Sequence, residues 1–455
     1  MSPEQEQQKL VVRPNDLGYY FTKKQKFIPK KLGDDILQFL KIKTVRDSEE
    51  VFVYENGVYK KMGVSYIKEL ANAWLENTVR TNMVNEVVAY VQRATYVKEE
   101  EQNKNLVNLK NGLFDIEKNV LLQHSPDYFF ISQLPLNYNQ TADCPKIKKF
   151  LSEVLGPDNI TLIQELFGYC LYADYPIAKA AFFFGEESTG KSTLLNIFEA
   201  FLGKENVSAI ALQELNHRFS KAELFGKLAN IHADLPDDTV TMTDTFKMLT
   251  GNDLIKGEKK FKDPFYYHNH AKLLFSTNRL PEVKNARGDY FKRILLIEFP
   301  NKFEGEKAKT GLIKEITVPE ELSGLFNWAL EGLQRLLQQG HFSGEKTTDE
   351  IKENYYAILK TQGSGIPEPS ISTFIADRIE LAEGSLLTKE ETYRTYVDFC
   401  SKKGLPKESL NLFCRRLKKS GFGDKYPKIG EKQKWCWIDV RLKSEQKDNK
   451  LGFWE

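Results

Sequence analysis

The segment from Gly185 to Ser192 reads Gly-Glu-Glu-Ser-Thr-Gly-Lys-Ser and carries residue types suited to binding phosphate groups. Its glycines permit a loop whose backbone N–H groups surround phosphates, and a helix opening at Lys191 offers its positive N-terminus. Lys191 can contact the β- and γ-phosphate oxygens, and Ser192 can ligate magnesium. An apolar strand, Ala178 to Phe184, precedes the loop as the motif requires. We therefore expect a site for ATP and Mg²⁺, formed by Gly185, Glu186, Glu187, Ser188, Thr189, Gly190, Lys191, Ser192 and Thr193.

A second strand, predicted at Lys227 to His232, leads to Asp234, where a P-loop ATPase holds a second magnesium contact. Taken alone, a carboxylate at the end of a strand usually caps the next turn. Its position behind a phosphate-binding loop favours the metal role. Leu235 rather than an acid follows Asp234, so the base that orients the attacking water stays unassigned, with Asp237 and Asp238 as candidates.

Two more strands bring polar side chains of interest. Asn278 follows the strand Lys272 to Ser276 and could hydrogen-bond the γ-phosphate or its water, although asparagine is also an ordinary turn former. Arg287 and Arg293 precede the strand that ends at Phe299, and one of them could reach the nucleotide of a neighbouring subunit.

These four units, in this order, resemble the superfamily 3 helicases, and specifically the poxvirus, phage and plasmid primase-helicase group. The resemblance is carried by residues 184–193, 226–236, 249–253, 272–281 and 291–300, and it extends upstream to 54–59 and 108–115. It implies catalytic roles for Lys191, Asp234, Asn278 and Arg293, with magnesium held at Ser192 and Asp234. Spacing from Asn278 favours Arg293 over Arg287 as the family's arginine finger.

The resemblance further implies a ring, usually a homohexamer, that hydrolyses ATP between subunits and draws one DNA strand through its centre from 3′ to 5′. A hairpin before the third strand would project into the channel. Here that stretch holds Lys260, Phe261 and Lys262, a basic and aromatic set suited to gripping single-stranded DNA. Without the family context, such a charge run is usually a solvated turn. The group often carries a primase or polymerase module, so a primase or polymerase is an expected partner.

The predicted fold class is α/β, with a P-loop AAA+-type core, and four regions follow along the chain. Residues 1–140 form an α+β accessory domain with Asn-Gly turns at 56–57 and 111–112, and residues 141–305 form the ATPase domain, a parallel sheet covered by helices. Residues 306–370 hold a helix at 322–339 and a linker at 363–369. Residues 371–455 form a winged-helix-like domain.

That last domain is expected from helices at about 389–403 and 407–420 and a strand at 434–440. Residues 401–434 hold 11 Lys and Arg against 3 Asp and Glu, a local excess of positive charge. We therefore expect contact with duplex DNA or a protein partner, with Leu410 to Lys419 as the recognition element, although a solvated charged face would give the same pattern.

Composition limits the remaining classes. The 455 residues are 41% hydrophobic and 28% charged, which is typical of a globular protein, and the net charge of +2 requires any basic site to be local. Five cysteines without a CxxC pair favour neither a zinc ribbon nor a disulfide framework. No apolar run is long enough to span a bilayer and the first residues lack a signal-peptide pattern, so we expect a soluble cytoplasmic protein.

The sequence leads to an ATP-dependent replicative DNA helicase of viral, phage or plasmid origin. One alternative is an ATP-switched replication initiator that binds origin duplex without processive unwinding. Another is an AAA-type ATPase that remodels protein rather than DNA.

Overall fold

The computed structural model describes residues 13–46, 48–97, 103–236, 240, 243–260, 263–283, 288–304, 311–361, 370–403, 405, 407, 409–419, 421–430 and 432–443. The chain divides into two compact units, Met1–Tyr355 and Tyr356–Glu455. Among the described residues, no helix is both long and apolar enough to cross a bilayer.

The larger unit begins with a four-stranded sheet packed against helices. Its elements are α1 (Pro29–Phe39), β1 (Ile42–Val45), β2 (Glu50–Glu55), β3 (Val58–Lys60), α2 (Gly63–Leu75), α3 (Thr81–Ala94) and β4 (Tyr96–Val97). The sheet order is β3-β2-β1-β4. The predicted hairpin is confirmed, because Asn56 and Gly57 join β2 to β3 with φ values of 50° and 87°. Such left-handed values suit Asn-Gly in a tight hairpin.

A small antiparallel sheet follows, formed by β5 (Leu106–Leu109), β6 (Gly112–Asp115) and β7 (Val120–Leu122). The second Asn-Gly turn is also confirmed, since it joins β5 to β6. A Cβ on Gly112 would lie 2.4 Å from the carbonyl oxygen of Leu122, so only glycine fits there. Leu109 and Phe114 are buried in the same hydrophobic core as the helices and strands that follow.

The rest of the larger unit is built around a five-stranded parallel sheet. Its elements are α4 (Pro145–Val154), α5 (Pro157–Leu171), β8 (Ala180–Phe184), α6 (Lys191–Leu202), β9 (Val207–Ser208), α7 (Ser220–Glu223), β10 (Ala229–His232), α8 (Asp244–Thr250), β11 (Leu254–Gly257), β12 (Phe265–His268), β13 (Lys272–Thr277), α9 (Gly288–Phe291), β14 (Ile294–Glu298), α10 (Leu312–Ile316), α11 (Pro319–Gln339) and α12 (Thr348–Thr361), the last of which continues past Tyr355. The predicted α/β class with a parallel sheet is confirmed.

The strand order of this sheet is β14-β8-β13-β10-β9. Strand β13 is therefore inserted between β8 and β10, with Phe183 opposite Ser276 and His232 opposite Phe275. Because all five strands run in parallel, the segments that follow β8, β10 and β13 meet at one edge of the sheet.

Helices α5 and α11 pack with their backbones in close contact. A Cβ on Gly168 would lie 2.3 Å from the carbonyl oxygen of Ala329, and one on Gly332 would lie 2.5 Å from that of Gln164. Glycine at both crossings is what permits this approach. The predicted helix at 322–339 is confirmed and begins three residues earlier, at Pro319.

The smaller unit has its own core and sheet. Its elements are α13 (Ser370–Arg378), β15 (Ile379–Thr388), α14 (Lys389–Lys403), α15 (Leu410–Lys419), β16 (Asp424–Lys425), β17 (Lys428–Ile429), β18 (Lys432–Gln433) and β19 (Cys436–Leu442). Phe374, Tyr396, Phe413 and Trp437 are fully buried in this core. The two predicted helices and the final strand are confirmed, whereas the predicted linker at 363–369 lies outside the described residues.

Candidate nucleotide-binding site

The loop after β8, which the sequence predicts to bind phosphate, has a tightly turned backbone. Ser188 and Gly190 adopt left-handed conformations, with φ values of 60° and 95°. A Cβ on Gly185 would lie 2.7 Å from the carbonyl oxygen of Phe299, so the loop packs too closely against the end of β14 for a larger residue. Helix α6 begins directly at Lys191. Its N-terminal N–H groups and dipole are therefore presented at the loop, as anion binding requires.

The Lys191 ammonium lies within this loop. Its Nζ atom donates hydrogen bonds to the carbonyl oxygens of Gly185 at 2.8 Å and Glu186 at 2.5 Å, and to Thr189 Oγ1 at 3.2 Å. The side chain is 6% exposed. Burial lowers the pKa of Lys191, while the carboxylates of Asp234 and Glu187 act in the opposite direction. The two carboxylates thus offset only part of the effect of burial on the ammonium.

A cavity of about 340 Å³ opens beside the loop. Its walls are the loop residues from Glu187 to Thr193, together with Asp234, Ser276 and Asn278. The latter three follow or end strands β10 and β13; β13 lies directly beside β8, and β10 is the next strand after it. The sheet topology therefore brings Lys191, Ser192, Asp234 and Asn278 to one site, although they are up to 87 residues apart in sequence.

The segment after β10 has one acidic residue, Asp234, followed by the apolar Leu235 and not by a second acid. Asp234 is exposed and left-handed, with a φ of 63°, whereas the side chain of Leu235 is buried. The backbone N–H of Leu235 donates to the carbonyl oxygen of Ser276 at 2.8 Å. The residue after Asp234 is thus held in the core and has no group able to accept a proton. The alternative bases, Asp237 and Asp238, lie outside the described residues.

The residues at this site suit a magnesium-bound nucleoside triphosphate. Ser192 is exposed at the first turn of α6, and Asp234 contributes carboxylate oxygens to the same cavity. Hydroxyl and carboxylate oxygens are ligands that Mg²⁺ accepts, and it usually takes only one or two carboxylates beside the phosphates. Accordingly, Ser192 and Asp234 would hold the metal, and the loop N–H groups with Lys191 would hold the phosphates.

Arg293 lies away from this cavity. It directly precedes β14, next to the start of β8, whereas the phosphate-binding loop follows the end of β8. Five strand residues separate the two edges, or about 16 Å. Nη1 of Arg293 donates to Thr250 Oγ1 at 3.4 Å, and its buried Nε has no hydrogen-bond acceptor. The structure therefore does not bring Arg293 to the nucleotide site of its own chain. Arg287 lies outside the described residues.

The predicted hairpin is present as β11 and β12, which pair in antiparallel fashion from Leu254 to His268. Lys260 is exposed near its turn, and Phe261 and Lys262 lie outside the described residues. The turn end of the hairpin is anchored to the N-terminal sheet, because Lys259 forms an ion pair with Glu50 of β2. Lys61 pairs with the same carboxylate.

Sequence reasoning missed two neighbours of Lys260. The Phe219 ring is 37% exposed, and the Nζ atom of Lys260 lies 5.9 Å from its centroid. The guanidinium of Arg218 lies 5.3 Å from the same centroid and forms an ion pair with Glu258 at the hairpin. The sequence predicts such a combination of an aromatic ring and cations within the hairpin itself, at Lys260, Phe261 and Lys262. Only the fold brings residues 40 positions apart together, so no local signal could have revealed it.

Two protein families match this chain. The family described as "D5 N terminal like" matches residues 9–156, and a family of unknown function, DUF5906, matches residues 183–293, which include the phosphate-binding loop. Two viral relatives carry helicase names. The chain is 23% identical over 269 residues to the candidate helicase L207/L206 of Acanthamoeba polyphaga mimivirus, and 25% identical over 232 residues to the candidate helicase 184R of Invertebrate iridescent virus 6.

Together these matches support a likeness of this chain to the D5-like primase-helicases. The alignments cover 56% of this chain and 27% of the mimivirus protein, and 45% of this chain and 23% of the iridovirus protein. The chain thus spans about a quarter of the length of these relatives.

A similar fold is also present among solved structures. Apo structures of the NrS-1 C-terminal region align with a TM-score of 0.52 and 13% identity, over 90% of this chain and 99% of the other. At this identity the likeness concerns the fold alone.

Proposed function

We propose that this chain is the motor portion of an ATP-dependent DNA helicase of the superfamily 3 type, with a P-loop AAA+ core. The observation that carries the proposal is the convergence of Lys191, Ser192, Asp234 and Asn278 on one cavity. The helicase names of the viral relatives support the choice of DNA unwinding over other uses of ATP.

Each residue of the cavity has a role in this proposal. Lys191 turns from the carbonyls of Gly185 and Glu186 to the β- and γ-phosphate oxygens, which are stronger acceptors. Ser192 and Asp234 would hold magnesium, which would neutralise charge on the phosphates. Asn278 would orient the attacking water or the γ-phosphate. The catalytic base stays open, with Asp237 and Asp238 as candidates.

Arg293 acts in trans in this proposal. Its position at the opposite edge of the sheet excludes contact with the phosphates of its own chain. In a ring of identical subunits, usually a hexamer, that edge can face the nucleotide of the next subunit. There the guanidinium would stabilise the charge that develops on the transferred phosphoryl group.

The DNA contact is assigned to the hairpin of β11 and β12 and to the surface beside it. Lys260, with Phe261 and Lys262, would grip one strand in the channel and move it from 3′ to 5′. Arg218 and Phe219 extend that surface, because they flank Lys260. Cations bind the phosphates while an aromatic ring stacks on a base, a combination that tolerates any sequence. The smaller unit, with the helix order of a winged-helix domain, would contact DNA or a partner such as a primase or polymerase.

Strand separation is the direct test. We expect the wild-type chain to unwind a forked duplex with a 3′ single-stranded tail in the presence of ATP and Mg²⁺, and a fork with only a 5′ tail far more slowly. Lys191→Ala should leave both forks intact. Unwinding by Lys191→Ala at the wild-type rate, or absence of unwinding by a wild type that hydrolyses ATP, would contradict the proposal.

A further inference from the structure

Two aromatic rings are exposed side by side in the smaller unit. Trp435 is 52% exposed and Tyr426 is 48% exposed, and their ring centroids lie 5.0 Å apart. The antiparallel pairs Lys425 with Cys436 and Lys428 with Gln433 bracket them, so Tyr426 and Trp435 lie opposite each other on neighbouring strands. Their contact therefore follows from strand register and forms a preorganised aromatic surface.

The pair is not needed to complete the core. Trp437, two residues further along β19, is fully buried in the core of the smaller unit. The ammonium of Lys389 lies 4.5 Å from the Trp437 ring and 4.8 Å from the Trp435 ring, at the margin of that core. Beyond this margin, Trp435 and Tyr426 extend into solvent. Leaving half of a large aromatic side chain exposed forgoes burial energy, which indicates a surface that another molecule covers.

The surroundings of the pair are positively charged. Lys425, Lys428 and Lys434 are exposed on the same two-stranded ribbon, and among the described residues none of the three forms an ion pair. Asp424, an acidic residue of this region, already forms ion pairs with Lys389 and Lys418. The Nζ atom of Lys418 lies 3.0 Å from its carboxylate. Those two cations lower the pKa of Asp424. The lysines therefore remain available to an external anion.

From this juxtaposition we infer that the ribbon from Asp424 to Trp437, here called the aromatic wing, binds single-stranded DNA. An unpaired base stacks on Trp435 and Tyr426, and the three lysines bind the adjoining phosphates. An exposed aromatic pair flanked by cations matches an unpaired nucleotide, which has a π-face and a phosphate within one repeat. Its binding residues differ from those of the Leu410–Lys419 helix that the sequence suggests as the recognition element, and Lys418 of that helix pairs with Asp424 at the start of the ribbon. The inference rests on the proposed function only in that the polymer is DNA.

Binding of a fluorescent 30-nucleotide oligo(dT) by the full chain tests the aromatic wing without any need for ATP hydrolysis. Alanine at both Tyr426 and Trp435 should weaken binding on the order of tenfold, because base stacking accounts for much of single-strand affinity. Trp435→Phe should retain most of it, since phenylalanine keeps an aromatic face. Gln at Lys425, Lys428 and Lys434 should weaken binding and reduce its salt dependence.

The matched control is Leu381→Ala, which truncates a side chain that is 87% exposed in the same unit. It should bind like the wild type. A second readout is quenching of indole fluorescence by the oligonucleotide, which Trp435→Phe should reduce even where affinity is kept. Wild-type affinity in the Tyr426/Trp435 double variant would overturn the inference, and so would an equal loss in Leu381→Ala.

The same samples separate this inference from the proposed helicase function. If the double variant binds normally while Lys260→Ala loses DNA-stimulated hydrolysis, the aromatic wing does not bind DNA and the proposed helicase function is supported. If the double variant loses affinity while DNA does not change wild-type hydrolysis, DNA binding by the aromatic wing is supported and the proposed helicase function is contradicted.

Discussion

The backbone N–H of Leu235 donates to the carbonyl oxygen of Ser276 at 2.8 Å, which ties the segment carrying Asp234 to the strand that leads to Asn278. Asp234 and Asn278 both line the candidate nucleotide cavity beside the loop. Because Leu235 is buried, movement of Asp234 would also disturb β13. The proposed metal ligand Asp234 and the proposed γ-phosphate contact Asn278 thus lie on segments joined by a backbone hydrogen bond.

Asp234→Asn tests the metal role at this junction. The amide keeps the shape but loses the charge that would bind Mg²⁺, and the pKa of Lys191 should fall further because Asp234 raises it. We expect hydrolysis to fall by roughly two orders of magnitude or more. Titration of Mg²⁺ with a fluorescent ATP analogue should show weaker metal dependence. Asp158→Asn, at the exposed first turn of α5, is the control. An unchanged magnesium titration would exclude Asp234 as a ligand.

Arg293 allows a subunit-mixing experiment. We expect Arg293→Ala alone to lack hydrolysis, because each nucleotide would lose the arginine of its neighbour. Mixing it with Lys191→Ala, which keeps the arginine but has no functional loop, should restore some activity. The recovered rate at varied ratios is the measurement, and Arg80→Ala, a change at an exposed arginine, should behave as wild type. No recovery at any ratio would argue against action in trans.

The buried Lys272 predicts a pH dependence of stability. Its Nζ atom donates to the carbonyl oxygens of Tyr172, Asp174 and His270 at 2.7 to 2.8 Å, between the rings of Tyr169 and Tyr175. Burial lowers its pKa from 10.5 to about 7, against the opposing effects of Cys170 and Asp174.

Between pH 7 and 10.5 the unfolded chain therefore binds more protons at this lysine than the folded chain does. The contribution of Lys272 to the free energy of unfolding rises with pH across that window. Relative to Lys272→Met, the wild type should gain about 2 kcal/mol between pH 7 and 9. Urea unfolding of both proteins at the two pH values measures the difference between their free energies of unfolding. The contributions of other titrating groups cancel in this difference. A difference that does not change with pH would contradict the lowered pKa.

Much of the fold could be predicted because it is encoded locally. The apolar stretches before Gly185, Asp234 and Asn278 form three strands of one parallel sheet, and a helix begins at Lys191 as predicted. The convergence of those residues followed from topology, since parallel strands end at one edge.

What the sequence could not supply was tertiary placement. Lys272 begins β13, and nothing in the sequence around it predicted that three carbonyls and two rings would surround its ammonium. Arg218 and Phe219 meet Lys260 only through folding, and nothing in the pattern distinguished them from ordinary loop residues. Likewise, the sequence of the hairpin that contains Phe114 did not predict that this side chain would be buried in the core of the central sheet.

The rate of ATP hydrolysis with and without single-stranded DNA tests the central claim most directly. It should be measured for the wild type, Lys191→Ala, Lys260→Ala and the control Lys204→Ala, which changes an exposed lysine just beyond α6. We predict several-fold stimulation of the wild type and of Lys204→Ala by DNA, no hydrolysis by Lys191→Ala, and basal hydrolysis without stimulation by Lys260→Ala. Wild-type hydrolysis that DNA leaves unchanged would contradict a DNA motor and favour an ATP-switched initiator or a protein-remodelling ATPase.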